Sequence, residues 1–259
     1  MKAPERVTSA ANPLVLRIRR LSRDGGAYRR LGQIWIEGEH LCAAAATRGR
    51  SAAVAVVNET AWDNRARREL AAHADRVVLL PDSLHLQLSA LESPSDIGFV
   101  IDMDDNVAAD RAMPSVVLDR LQDAGNVGSI LRSASALGVS QVLAIKGTAA
   151  LWSGKVLRAG MGAHFGLRLV EGLDESAVLA LKLGLVITSS HAALSLPEAR
   201  LPSPCAWVFG HEGQGVSAVL EQASLLRVRI PQPGGEESMN VAAAAAICLY
   251  EANRQIQAQ

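Results

Sequence analysis

Short apolar runs alternate with helix-forming segments along this chain, and this alternation restricts it to an α/β fold. The first half has strand candidates at 34–36, 53–57 and 77–80. Segments with helical composition separate or follow them at 39–46, 62–74 and 82–91. Strands that alternate with helices at this spacing form βα units. We therefore predict a small α/β domain in this part of the chain.

The alternation restarts after a stretch rich in proline and aspartate, 94–115. Strand candidates then lie at 115–118, 141–145, 167–170, 185–189, 205–209 and 226–230. Helix candidates lie at 126–137, 175–183, 217–223 and 238–257. Such short apolar strands predict a mostly parallel sheet with helices on both faces. We expect a basic segment at 1–30, an α/β domain at 31–110 and a second α/β domain at 111–259.

Composition narrows the class of protein further. The 259 residues are 49% hydrophobic and 20% charged, and 26 basic side chains balance 26 acidic ones. This is the composition of a globular protein, and the net charge of zero gives no overall electrostatic field that would attract or repel nucleic acid. The longest apolar stretch, 241–250, is shorter than the roughly 18 residues of a membrane span. We expect no membrane segment, no secretory signal and a cytoplasmic protein.

Charge is nevertheless concentrated at the front of the chain. Residues 1–30 carry eight lysines and arginines against two acidic residues, a local charge of +6. Clustered arginines bind phosphate oxygens, so this segment is a candidate arm that contacts the phosphates of a nucleic acid. Leu14, Ile18 and Leu21 recur at helical spacing, however, and the arginines between them would equally form the exposed face of an amphipathic helix. Both interpretations stay open.

Several common site chemistries do not fit the sequence. The glycine-rich segment 210–215 follows a strand candidate, but it lacks the lysine of a P-loop and does not match G-x-G-x-x-G. The three cysteines, Cys42, Cys205 and Cys248, show no C-x-x-C spacing, and no H-E-x-x-H pair is present. We therefore expect no disulfide framework and no metal centre.

Three groups of polar residues follow predicted strands, where open α/β sheets bind ligands. The first comprises Asp119, Gln122, Asp123, Asn126, Gly128 and Arg132. The second is the loop 210–215. The third comprises Pro231, Glu237, Ser238 and Asn240. Each group alone is also explained by turn chemistry and helix capping, with Asn126 and Ser238 as candidate caps.

In this order the three groups resemble the three motifs of SpoU/TrmH-type methyltransferases of the SPOUT superfamily. Residues 116–132 resemble the first motif, 207–217 the second and 230–241 the third. Ala124 stands where the family usually has proline, and Gln232 where methionine is common. The resemblance extends to the front half through Thr8-Ser9, Asn12-Pro13 and Ile36-Glu37-Gly38.

The resemblance implies a fold and a function that composition alone does not. It implies a C-terminal SPOUT methyltransferase domain with a deep trefoil knot, a small α/β RNA substrate-binding domain at 31–110, and a homodimer. It also implies S-adenosylmethionine-dependent 2′-O-ribose methylation of RNA, with ribosomal RNA as the expected substrate. A transfer RNA methyltransferase and a noncatalytic RNA-binding or ribosome-assembly protein are the alternatives. A Rossmann-type nucleotide enzyme lacks its phosphate fingerprint.

The resemblance also assigns roles to residues. The catalytic candidates are Asn126, Arg132, Glu212, Ser238 and Asn240. The cofactor-binding candidates are Phe209, Gly210, Gly213, Ile230 and Met239, with glycine at 210 expected to let the chain approach a planar ring. The RNA-binding candidates are Arg17, Arg19, Arg20, Arg29 and Arg30. Because arginine stays protonated, we expect Arg132 to stabilise a developing alkoxide and an adjacent phosphate instead of removing a proton.

Overall fold

The structure is a computed structural model that describes residues 3–104, 107–234 and 239–258. The described strands are β1 (Glu5–Arg6), β2 (Gln33–Glu37), β3 (Val54–Asn58), β4 (Val77–Leu80), β5 (Ile97–Asp102), β6 (Ser115–Asp119), β7 (Gln141–Ile145), β8 (Arg168–Leu173), β9 (Leu185–Thr188), β10 (Ala206–Gly210) and β11 (Leu226–Val228). The described α-helices are α1 (Pro13–Arg23), α2 (Ala27–Leu31), α3 (Glu39–Thr47), α4 (Arg65–Ala71), α5 (Asp82–His85), α6 (Ala124–Ala136), α7 (Gly154–Gly160), α8 (Glu175–Ala180), α9 (Ala218–Gln222) and α10 (Val241–Gln257).

Two compact units make up the chain. The first consists of Met1–Asn106 with Trp152–Phe165, and the second of Val107–Leu151 with Gly166–Gln259. The first unit holds a five-stranded mixed sheet in the order β1-β4-β3-β5-β2. In this sheet β3 runs parallel to β4 and antiparallel to β5, which also pairs antiparallel with β2. The predicted small α/β fold of the front half is thus present.

The segment 152–165 packs in the first unit, although the sequence placed it inside the domain 111–259. The Trp152 ring lies 5.2 Å from the His164 ring and 6.1 Å from the Phe165 ring, measured between centroids. A Cβ built on Gly162 would lie only 2.5 Å from the Cβ of Ala44 in α3. This close packing against α3 explains why the segment joins the first unit.

The second unit contains a six-stranded parallel sheet in the order β11-β9-β10-β6-β7-β8. Its central strands β6 and β7 are buried along their whole length, because apolar side chains cover both faces. The predicted α/β class with a mostly parallel C-terminal sheet is therefore confirmed. The trefoil knot stays a prediction.

The order of the strands fixes where a ligand can bind. The chain leaves β6 toward β7 and β8 on one side, and it returns through β9, β10 and β11 on the other side. The neighbours β6 and β10 therefore flank the point where the strand order reverses, and open α/β sheets bind ligands at such a point. Asp119 at the end of β6 pairs in register with Gly210 at the end of β10.

Candidate active site

The buried carboxylate of Asp119 joins the first two motif segments. Its Oδ2 accepts a hydrogen bond of 2.6 Å from the backbone N–H of Ser217, beyond the glycine-rich loop. Its Oδ1 accepts one of 2.8 Å from Nε of Arg120. Arg120 also donates to Gln214 at 3.2 Å. A buried charge needs such partners, and here they hold the C-terminal side of the loop next to the end of β6.

Glu212 crosses from the loop to the start of α6. Its carboxylate accepts hydrogen bonds from the backbone N–H groups of Gln122 (3.3 Å) and Asp123 (3.2 Å) and from Nδ2 of Asn126 (3.3 Å). Burial raises the pKa of the Glu212 carboxyl, but hydrogen bonds from its own and these amide groups outweigh that effect and hold the pKa below its usual range. The side chain is therefore an anion fixed against the helix N-terminus.

Asn126 joins Glu212 to the third motif. Its Oδ1 accepts a hydrogen bond of 3.0 Å from Nδ2 of Asn240. Asn240 in turn caps α10, since its Oδ1 accepts from Ala242 (2.9 Å) and Ala243 (3.2 Å). The structure thus brings the predicted residues Asn126, Glu212 and Asn240 into one hydrogen-bonded chain.

The alternative role of Asn126 as a helix cap is wrong. Asp123 caps α6 instead, because its side chain accepts from the backbone N–H of Asn126 at 2.7 Å. This leaves the Asn126 amide available for Glu212 and Asn240. Ser238, the other candidate cap, lies outside the described residues.

The loop after β10 folds back on its own strand. The N–H of Gly215 donates to the carbonyl of His211 at 2.8 Å, and Gly215 has a φ of +70°. A Cβ on Gly210 would lie 2.2 Å from the backbone carbon of Gly215. Glycine at 210 is therefore required by the path of the chain itself, and its approach to a cofactor ring stays a prediction.

A cavity of about 570 Å³ opens beside this network, within the usual range of small-molecule sites. It is lined by the predicted residues Asn126, Phe209, Gly210, Glu212, Ile230, Met239 and Asn240. Lining residues that the sequence analysis did not single out include Ile187, Thr188, Ser189, Ser190 and Glu221, whereas His211 lies in the loop 210–215 that it did single out. The position of Ser189 and Ser190 at the end of the predicted strand 185–189 was the available signal for the missed serine pair.

Two predicted residues do not line this cavity. Gly213 uses its backbone N–H to donate to Nδ1 of His211 at 3.0 Å. Arg132 is exposed on α6 and makes no hydrogen bond or ion pair with any described residue. Neither position is assigned to the cavity by the structure, and both roles stay predictions.

The arginines near the N-terminus belong to the first unit. Val15, Ile18 and Leu21 are buried on one side of α1, so the predicted amphipathic helix is present. Several of the arginines have partners: Arg17 donates to Gln33 at 3.0 Å, Arg19 donates to Gln87, Arg30 pairs with Asp24 at 2.5 Å, and the Arg29 guanidinium lies 5.1 Å from the Tyr28 ring centroid. Arg20 is exposed, and its side chain makes no hydrogen bond with another described residue. Contact with RNA stays a prediction.

Within 3–104, 107–234 and 239–258, no three histidine, cysteine or acidic side chains are grouped to hold a metal ion. The helices of these ranges include none that is long and apolar enough to span a bilayer.

A parallel sheet with a polar network and a cavity at its carboxyl edge defines a ligand-binding α/β domain. The sequence profile of the SpoU rRNA Methylase family matches residues 113–250. The chain belongs to this family, and the family predicted from the three motifs is confirmed.

The chain is also similar to particular proteins over most of its length. It is 33% identical to an uncharacterized tRNA/rRNA methyltransferase of Synechocystis sp., covering 96% of this chain and 93% of that protein. It is 33% identical to the 23S rRNA guanosine 2′-O-methyltransferase RlmP of Bacillus subtilis, covering 66% of this chain and 70% of RlmP. A crystal structure of an RNA 2′-O ribose methyltransferase matches with a TM-score of 0.80 and 31% identity, over 97% of this chain and 99% of that one.

Proposed function

We propose that this chain transfers a methyl group from S-adenosylmethionine to a ribose 2′-hydroxyl of ribosomal RNA. Membership of the SpoU rRNA Methylase family and similarity to RlmP of Bacillus subtilis support this activity. The observation that carries the proposal is the chain of hydrogen bonds from Glu212 through Asn126 to Asn240, because it joins all three motifs at the rim of the cavity.

The cavity suits S-adenosylmethionine in chemistry as well as in volume. Ile187, Ile230 and Met239 offer apolar surface for an adenine ring, and Glu212 and Glu221 place carboxylates on the same wall. A carboxylate attracts the positive charge of a sulfonium. The cofactor, when bound, supplies a methyl group that is already activated for transfer. Backbone near Gly210, Ile230 and Met239 would hold it, with the Phe209 ring beside them.

The side chains around the cavity would orient the reacting groups. Glu212 stays ionised and accepts a hydrogen bond from the Asn126 amide, which restricts the motion of both side chains at the rim of the cavity. Orientation of this kind accounts for much of the rate of a bimolecular transfer. Arg132 would bind the RNA side, where its guanidinium stabilises the charge that develops on the ribose oxygen. Ser238 is proposed to act in the same segment as Asn240.

Transfer RNA is the second candidate substrate, since the Synechocystis relative is named a tRNA/rRNA methyltransferase. The experiment that separates the candidates is transfer of labelled methyl from S-adenosylmethionine to unmodified total RNA, followed by nuclease digestion. A labelled 2′-O-methyl nucleoside in the ribosomal fraction is the expected result. Label in the transfer RNA fraction would change the substrate, and label on a base would contradict the proposed chemistry.

Arg132→Ala tests the role of the motif arginine within this reaction. We expect loss of methyl transfer with nearly unchanged binding of S-adenosylmethionine, because Arg132 does not line the cavity. Arg200→Ala is the matched control, since Arg200 is also exposed and makes no hydrogen bond with a described residue. Full turnover by Arg132→Ala would remove this residue from the mechanism. If neither wild type nor variant transfers methyl but RNA still binds, the protein is a noncatalytic RNA-binding member of the fold.

A homodimer in the cytoplasm completes the proposal. On α10, Ile247 is 39% exposed and Tyr250 is 62% exposed, and one turn separates them on the same face of the helix. Exposed apolar side chains at this spacing suit burial against a second copy. Sedimentation of the purified protein would give twice the mass of one chain if the proposal is right. We also propose that residues 31–110 bind RNA together with the arginines of 1–30.

A further inference from the structure

His211 is a cavity residue to which the three motifs assign no role. Its Nδ1 accepts two backbone hydrogen bonds, from Gly213 at 3.0 Å and from Gln214 at 3.2 Å. We infer that neutral His211 is a positioning residue: it holds the loop 211–215 in the shape that places Glu212 against Asn126. The inference deepens the proposed function and rests on it for its activity measurement.

The two hydrogen bonds define the state of the imidazole ring. A ring nitrogen accepts a hydrogen bond only when it carries no proton, so the hydrogen of the neutral ring must lie on Nε2. In the imidazolium form both nitrogens are donors. Protonated Nδ1 would then point a hydrogen at two backbone N–H groups, and both hydrogen bonds would be lost.

Loss of these two hydrogen bonds would also change the position of Glu212. Glu212 follows His211 directly, and its carboxylate accepts three hydrogen bonds from the start of α6. The loop has a second fastening through Arg120 and Gln214. Loss of the two hydrogen bonds therefore frees the loop at His211 while the hydrogen bond between Arg120 and Gln214 stays, so Glu212 is displaced without unfolding of the domain.

Charged groups also lie around the loop. Glu212 and Glu221 line the cavity with His211, and Arg227 is paired with Glu221 at 3.1 Å. Arg120 is paired with Asp119 at the end of β6. The direct contacts of Nδ1 are nevertheless the two N–H groups, and these require the neutral ring.

Two substitutions at His211 test whether the hydrogen-bond acceptor of its side chain positions the loop. Asparagine accepts hydrogen bonds from backbone N–H groups two residues ahead and tolerates turn conformations, so His211→Asn keeps an acceptor that acid does not remove. His211→Ala removes the acceptor altogether. His73→Asn is the control, because His73 is exposed in the first unit and makes no side-chain hydrogen bond with a described residue.

The first test does not depend on activity. Ring ¹⁵N shifts of His211 should report an unprotonated Nδ1 at neutral pH, and the amides of Gly213 and Gln214 should exchange slowly with deuterium. We expect faster exchange of both amides in His211→Ala, and wild-type exchange in His211→Asn and His73→Asn. A protonated Nδ1 at neutral pH, or unchanged exchange in His211→Ala, would overturn the inference.

The second test measures methyl transfer to RNA. Two neutral hydrogen bonds contribute roughly 1–3 kcal/mol together, so we expect kcat/KM of His211→Ala to fall by about 5–150-fold. His211→Asn should keep wild-type activity within about twofold, because its side chain still offers an acceptor to the backbone N–H groups of the loop. Equal losses of activity in His211→Asn and His211→Ala would contradict the inference. If wild type transfers no methyl, the proposed function fails, and the ring nitrogen and amide exchange still decide the role of His211.

Discussion

Gly210→Ala is the substitution whose steric effect follows most directly from the structure. A Cβ at this position would lie 2.2 Å from the backbone carbon of Gly215 and 2.2 Å from the backbone nitrogen of Val216. Ordinary van der Waals contact begins at 3.4 Å, so the returning backbone would have to retreat by about 1.2 Å. Both opposing atoms belong to the main chain, and no side-chain rotation can relieve the clash.

This shift of the backbone would disturb the hydrogen bond that holds the end of the loop. Ser217 follows Val216 and donates its N–H to buried Asp119 at 2.6 Å, so a shift of about 1.2 Å breaks or weakens that hydrogen bond. Overpacking of this kind costs about 1–3 kcal/mol. If this free energy opposes the loop conformation that forms the cavity, the affinity for S-adenosylmethionine falls by about 5–150-fold.

Calorimetric titration with S-adenosylmethionine measures this loss, and circular dichroism tests whether the domain remains folded. Gly234→Ala is the matched control, because a Cβ at Gly234 would meet nothing within 4 Å. Equal affinities of the Gly210→Ala and Gly234→Ala variants would refute the reasoning, since the close approach of strand and loop would then have no bearing on the site.

Three further predictions address other parts of the molecule. Asn240→Ala removes the cap of α10 and the hydrogen bond to Asn126, so the free energy of unfolding in urea should fall by about 0.5–2 kcal/mol. Glu212 has a lowered pKa, so its stabilisation is present above the ordinary glutamate range and is lost as the pH falls through that lowered pKa. The difference in urea midpoint between wild type and Glu212→Gln should therefore shrink in acid, and a constant difference would contradict this. Arg20→Gln should reduce the slope of log K for RNA binding against log salt by about 0.7–0.9, whereas Arg50→Gln, on an exposed control arginine, should leave the slope unchanged.

Sequence periodicity predicted the position of the site because parallel strands all end at one edge. Polar segments follow the predicted strands 115–118, 205–209 and 226–230, and among their described residues the structure brings Asn126, Glu212 and Asn240 together. Asn126 meets Glu212 across 86 positions of sequence and Asn240 across 114. A pattern that identifies parallel strands thus brings distant residues together without any information on individual contacts.

Sequence periodicity did not predict the individual contacts. Asp123 and Asn126 are both good capping residues three positions apart, and only the structure shows that Asp123 accepts the N–H of Asn126. The requirement for glycine at 210 depends on the path of 215–216, which no local pattern contains. The packing of 152–165 in the first unit was missed for a similar reason, since Gly162 approaches Ala44 from a segment more than a hundred residues later in the chain.

The placement of Arg132 relative to Asn126 limits what each residue can do. Six residues of α-helix correspond to about one and two-thirds turns, so the two side chains leave α6 on different sides. Asn126 is half-buried and is held by Glu212 and Asn240, whereas Arg132 is exposed. One motif therefore supplies a residue that shapes the cavity and another that faces outward. A guanidinium in the second position can meet an RNA phosphate without disturbing the cavity, which is why cofactor binding and methyl transfer should separate when Arg132 is replaced.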